Sequence, residues 1–149
     1  MVRLVCFDTE TSELLSDETK DTCKIVQLSW IMYDTITHEQ IDNDYILNID
    51  KEITNSHIHK ITTEMSQKGY YFSDIFEIFL DDIIDCDLIV GHNLNYDLNA
   101  VEVELYHIEE FEAILLALKE ALPKNQSQIS VEQGFDKPKG WMGFNDKSV

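Results

Sequence analysis

Basic residues are scarce in this chain of 149 residues: 11 lysines and arginines stand against 29 acids, a net charge of −18. That balance argues against a protein that grips a phosphate backbone tightly through its own charges. It does not exclude a nucleic-acid enzyme, because bound divalent cations reverse the local field. Cysteine is scarce too. Cys6, Cys23 and Cys86 are odd in number and form no CxxC pair, which argues against a disulfide framework or a zinc site. A reducing intracellular, cytoplasmic compartment is expected. No apolar run approaches the ~18 residues of a membrane span. The N-terminal MVRLVCFD lacks the long apolar stretch of a signal peptide. Both prolines and three of the five glycines fall after residue 122. Residues 1–122 therefore read as one domain, and 123–149 as a loop-like or disordered tail. The tail carries four lysines against Glu132, Asp136 and Asp146, a net +1, leaving −19 on the rest.

What is present is a core. At 44% hydrophobic residues the chain can bury one. Val2 to Phe7 reads as a buried strand, Ile25 to Tyr33 as a second and Tyr45 to Ile49 as a third. The period then changes. With Ser73 as N-cap, Ile75, Phe76, Phe79, Leu80 and Ile83 share one helical face. Leu88 to Val90 is a short strand. A helix from about Asn93 carries the stripe Leu94, Leu98, Val101 and Leu105. A further helical stretch is expected over Ile108 to Leu122, with a break near His107, since thirty helical residues would span roughly 45 Å.

Two segments carry chemistry. In Phe7-Asp8-Thr9-Glu10-Thr11 an apolar strand runs into two carboxylates at i and i+2, which project to the same side. A divalent cation relieves the repulsion between such a pair. In Gly91-His92-Asn93-Leu94-Asn95-Tyr96-Asp97 a strand passes through glycine into a helix start, with Asn93 and Asp97 on one face. Alone, each has a plainer account. Asp8 and Glu10 fit a chance acidic loop, and Asn93 and Asp97 fit an N-cap and an acid favoured by the helix dipole. Trp30 and Tyr33 read as strand packing, and His57 and His59 as polar loop groups rather than metal ligands. Phe135, Trp141 and Phe144 among lysines read as a free tail rather than a stacking surface.

Together, FDTET at 7–11 and HNLNYD at 92–97 resemble the first and second motifs of the DEDD 3′–5′ exonuclease superfamily, the group of polymerase proofreading subunits and RNase T-like enzymes. Ile58-His59-Lys60-Ile61-Thr62 is similar to the short helical segment that follows the third strand in these enzymes. The resemblance covers about residues 2–106. It implies an α/β, ribonuclease H-like mixed sheet in order 3-2-1-4 with flanking helices. It also implies two metal ions, Mg²⁺ or Mn²⁺, acting on the 3′ end of single-stranded DNA or RNA. By position, Asp8 would bridge both metals, Glu10 would bind one near the terminal 3′-hydroxyl, and Asp97 would hold the second through water. Thr11, Leu14 and Asn93 would lie near the terminal nucleotide.

The sequence departs from the family at its end. The third motif, H-x-x-x-x-D or Y-x-x-x-D, has no counterpart. His107 is the last histidine, Glu112 stands five residues on, and no tyrosine follows Tyr106. The fifth strand is expected to be missing as well. Asp136 and Asp146 lack a histidine or tyrosine at the family spacing. The reading is therefore a metal-dependent 3′–5′ exonuclease, truncated and weakly active. The alternative is a non-catalytic relic that binds metal, a nucleic-acid 3′ end or a polymerase-like partner.

Overall fold

The computed structural model describes residues 2–108, Glu120 and 128–130. Its first half is a meander: β1 (Arg3–Thr11), β2 (Ile25–Asp34) and β3 (Gln40–Ile46). Two short helices, α1 (Ser56–His59) and α2 (Thr63–Gln67), lead into α3 (Phe72–Ile84). Then come β4 (Leu88–Gly91), α4 (Leu94–Tyr106) and β5 (Gln128–Ser130). The sheet order is β3-β2-β1-β4-β5. β1 runs antiparallel to β2 and parallel to β4, so the expected 3-2-1-4 mixed sheet is what forms. No helix among the described residues is long and apolar enough to cross a membrane.

Several boundaries differ from expectation. β1 continues through both carboxylates to Thr11 instead of releasing them into a loop. β3 begins at Gln40, not Tyr45, because the hairpin turn closes just before it. Asp34 Oδ1 accepts the amides of Ile36 and Thr37, and His38 takes the left-handed φ of 60° that the reversal needs. Four of the seven residues of this edge strand are exposed, the apolar Ile41 among them, so main-chain pairing holds it and no apolar period marks it. α3 is capped at Tyr71 and starts with buried Phe72, one residue ahead of Ser73. α4 ends at Tyr106, and the His107 amide closes it on Glu104 and Leu105.

The fifth strand is a correction. Gln128–Ser130 pairs parallel with β4, Gly91 opposite Ser130. Three residues cannot show a period-2 pattern, so only the sheet edge beside β4 reveals them. The rest of the tail, and the helical stretch expected over Ile108–Leu122 apart from Ile108 and Glu120, lie outside the described residues.

The core lies between the sheet and the two long helices. Phe79 sits 5.1 Å from the Phe7 ring and 5.1 Å from Trp30, ring centre to ring centre. Trp30 is fully buried and its Nε1–H donates to Asp82 at 2.6 Å, so it packs as expected. Gly69 is required by close approach. A Cβ there would stand 2.4 Å from the Ile46 carbonyl oxygen, where β3 ends against the Leu47–Tyr70 bridge.

Glu104, on the buried side of α4, was not singled out by the sequence. Its Oε1 accepts the Ile25 amide at 2.7 Å, tying the helix to the start of β2. Burial pushes this carboxyl above its ordinary range, against the lowering pull of the Ile25 bond and of Lys24 at 4.0 Å. A raised folded-state pKa favours folding at low pH and is a liability once the pH rises through it. Glu104→Gln keeps the acceptor and removes the charge. It is expected to raise Tm at pH 7 by roughly 2–4 °C, with the gain shrinking towards zero below the carboxylate range. Thermal melts across pH check this; a gain that grows in acid would refute it.

Candidate active site

β1 and the start of α4 build the site. Strand alternation sorts β1 into two faces. Phe7 packs at a tilt against Phe79 of α3, and Thr9 and Thr11 bond to α4 residues, so the odd positions face the helices. Asp8 and Glu10 project from the opposite face, beside Ser29 and Gln27 on β2. Both carboxylates are 3% exposed. Ser29 Oγ and Gln27 Nε2 each donate to Asp44 Oδ1 at 2.7 Å, which brings an acid from β3 to the rim of this face.

Asp97 arrives from the helix side. It is fully buried, and its Oδ1 accepts both the backbone N–H of Thr9 at 3.0 Å and the Thr9 hydroxyl at 2.7 Å. The second motif is thus bonded to the residue between the two carboxylates of the first. The neighbouring Tyr96 hydroxyl meets Thr11 Oγ1 at 2.8 Å and the Leu15 amide at 3.1 Å. Asn93 stands at the N-cap of α4 with a left-handed φ of 54° and makes no capping side-chain bond, so the plain N-cap account of it fails. Asparagine tolerates that conformation better than most residues.

Of the residues expected near a terminal nucleotide, Thr11 is buried and bonded, Asn93 is half-buried, and Leu14 is 63% exposed. His59 is buried at the end of α1, not a loop group; its Nε2 meets Asn55 Oδ1 at 3.0 Å. Thr9, Tyr96 and Asn55 had no signal of their own in the sequence, since each matters through a partner between 44 and 88 positions away.

Among the described residues no three His, Cys, Asp or Glu side chains form a group that could hold a metal ion. Asp8, Glu10 and Asp97 are thus not gathered into one metal-holding group, contrary to expectation. By type they do suit one, since they offer only carboxylate oxygens, the ligands of hard divalent cations. Cys6, by contrast, has its thiol pushed up to about 11 by burial, so it offers no thiolate.

No protein-family model matches the chain, and no curated protein does. Solved structures match its fold. Exonuclease I from Methylocaldum szegediense superposes with a TM-score of 0.60 at 13% identity, over 88% of this chain and 28% of that one. The zinc-bound complex of E. coli exonuclease I with single-stranded DNA gives 0.61 at 12% identity, with the same coverage. The nuclease domain of 3′hExo, a DEDDh family member bound to rAMP, gives 0.58 at 9% identity, over 70% of this chain and 58% of that one. The chain thus spans less than a third of the exonuclease I chains and under two thirds of the 3′hExo domain. These alignments and the sheet order agree: the chain has the ribonuclease H-like fold of the DEDD 3′–5′ exonucleases.

Proposed function

We propose that the chain is a metal-dependent 3′–5′ exonuclease of single-stranded DNA or RNA, weakly active by itself. The observation that carries this reading is the bond between Asp97 and Thr9, which joins the D-x-E strand and the H-N-x-x-x-D helix at one point. Asp8 and Glu10 would hold Mg²⁺ or Mn²⁺, with Asp97 supporting a second ion through water. Such ions, when bound, supply an activated water and a positive charge for the leaving oxygen. The chain's own residues do the rest. Asp97 and Thr9 lock the helix start to the strand, while Thr11, Leu14 and Asn93 would bound the terminal nucleotide.

Two features of these 149 residues support the expectation of weak activity. A positioned general base contributes about 10²–10⁴-fold, and no histidine or tyrosine stands at the family spacing. With a net charge of −18 the protein also repels its polyanionic substrate at long range. The free cysteines support a reducing, cytoplasmic setting.

The test is release of labelled nucleotide from a 3′-labelled single strand, DNA and RNA in parallel. Slow cleavage is expected, faster with Mn²⁺ than with Mg²⁺, and abolished by Asp8→Ala. Mn²⁺ should also raise Tm through binding to the folded state alone, and Asp8→Ala should remove that rise. Turnover on the typical enzyme scale of ~1–10³ per second would refute the weakness. The absent third motif favours a second reading, the non-catalytic relic that binds metal, a 3′ end or a polymerase-like partner. Metal-dependent binding of a 3′ end without cleavage would favour it.

A further inference from the structure

The segment Thr11–Leu15 leaves the end of β1 and carries Leu14 exposed on its crest, yet it is held from two sides. On one side stands Asn55, at the N-cap of α1. Its side chain makes no capping bond and is spent elsewhere. Asn55 Nδ2 donates to the Thr11 carbonyl at 3.0 Å, and Asn55 Oδ1 meets His59 Nε2. The hydrogen positions follow from the partners. The Ile61 amide can only donate, so His59 Nδ1 accepts it at 3.1 Å and the ring proton sits on Nε2, donating to Asn55. That in turn fixes the amide orientation of Asn55.

On the other side stands Tyr96. The single Thr11 hydroxyl proton goes to the Glu13 carbonyl at 2.8 Å, which can only accept. Tyr96 therefore donates to Thr11 Oγ1 and accepts from the Leu15 amide. Consecutive residues of α4 thus hold consecutive parts of the site: Asp97 holds the strand at Thr9, and Tyr96 holds the segment beyond it.

We propose that the His59–Asn55–Thr11–Tyr96 hydrogen-bond chain is a positioning device that sets selectivity for a free 3′-terminal nucleotide. Asn55 and Tyr96 are its positioning residues, acting through the segment Thr11–Leu15. The proposal rests on the reading of this site as one that receives a 3′ end. A free end is told from the interior of a strand only where the contacting segment is held in place, since a loose one adapts to either and loses the difference in ordering.

The experiment measures binding of two short 5′-fluorescein-labelled single strands, one ending in a 3′-hydroxyl and one in a 3′-phosphate. DNA and RNA arms run in parallel, with Ca²⁺ in place of Mg²⁺ to hold back cleavage. The wild-type chain should prefer the 3′-hydroxyl end. Tyr96→Phe, which is isosteric and removes only the hydroxyl, should weaken that binding about five- to tenfold, the loss of a single hydrogen bond or slightly more. The 3′-phosphate strand should bind unchanged, so the preference collapses. Asn55→Ala should move the same ratio the same way. Hydrogen exchange at the Leu15 amide should quicken in Tyr96→Phe while core amides such as Leu28 keep their protection. If exchange quickens but the end preference stays, the device is structural only and the proposal is overturned. If the wild type binds neither strand, the exonuclease reading itself has failed and the proposal falls with it. A wild type that binds both strands equally overturns the proposal alone.

Discussion

Asp97→Ala is expected to destabilise the fold by roughly 2–4 kcal/mol, with a fall in Tm on the order of 10 °C. The side chain is fully buried and accepts two hydrogen bonds from Thr9. Alanine removes the acceptor and strands a backbone N–H and a hydroxyl in the interior, each costing about 1–3 kcal/mol. Asp97→Asn keeps a carbonyl oxygen in the same place and should cost about 1 kcal/mol or less, because both Thr9 donors stay paired. The pair separates structure from chemistry. If Asp97 supports the second metal ion, cleavage should fall in the asparagine variant although Tm barely moves. Equal melting of the two variants would mean that the Thr9 bonds contribute little, and that the joint between the motifs rests on packing alone.

Phe79→Ala should cost about 3–5 kcal/mol, as truncation of a buried phenylalanine does. Its ring lies within 5.1 Å of both Phe7 and Trp30, and 6.4 Å from Phe76, measured between centres. A cavity there is walled by a strand residue directly before Asp8, so the loss loosens the floor of the site as well as the core. Urea titration should show a lower midpoint with an unchanged slope. Trp30 fluorescence reports the same transition. Ile78→Ala on the same helix is the control: at 43% exposure it should stay within about 0.5 kcal/mol. A Phe79→Ala midpoint as close to wild type as the control's would contradict the central place given to this aromatic cluster.

Much of this protein was already legible in the order of its residues. The strand Val2–Phe7 ending in Asp8-Thr9-Glu10, the helical face of Ile75, Phe76, Phe79 and Ile83, and the stripe Leu94, Leu98, Val101 and Leu105 are local patterns. Burial on one face imposes a period, and a period is visible in a sequence. The 3-2-1-4 sheet order came from family resemblance, not from any period. Other features depend on partners far along the chain. β3 starts at Gln40 because β2 offers it a ladder, and Gln128–Ser130 becomes a strand because β4 has an open edge. Main-chain pairing leaves little mark on side-chain order. Spacing placed Asp8 and Glu10 together, since neighbours at i and i+2 in a strand cannot do otherwise. It could not show that Asp97 reaches the strand at Thr9, between the two. Nor could it show that Tyr96 and Asn55 clamp Thr11, because no sequence interval encodes the distance between a helix start and the strand packed beside it. That distance is decided by how the core closes around Phe7, Leu94 and Phe79.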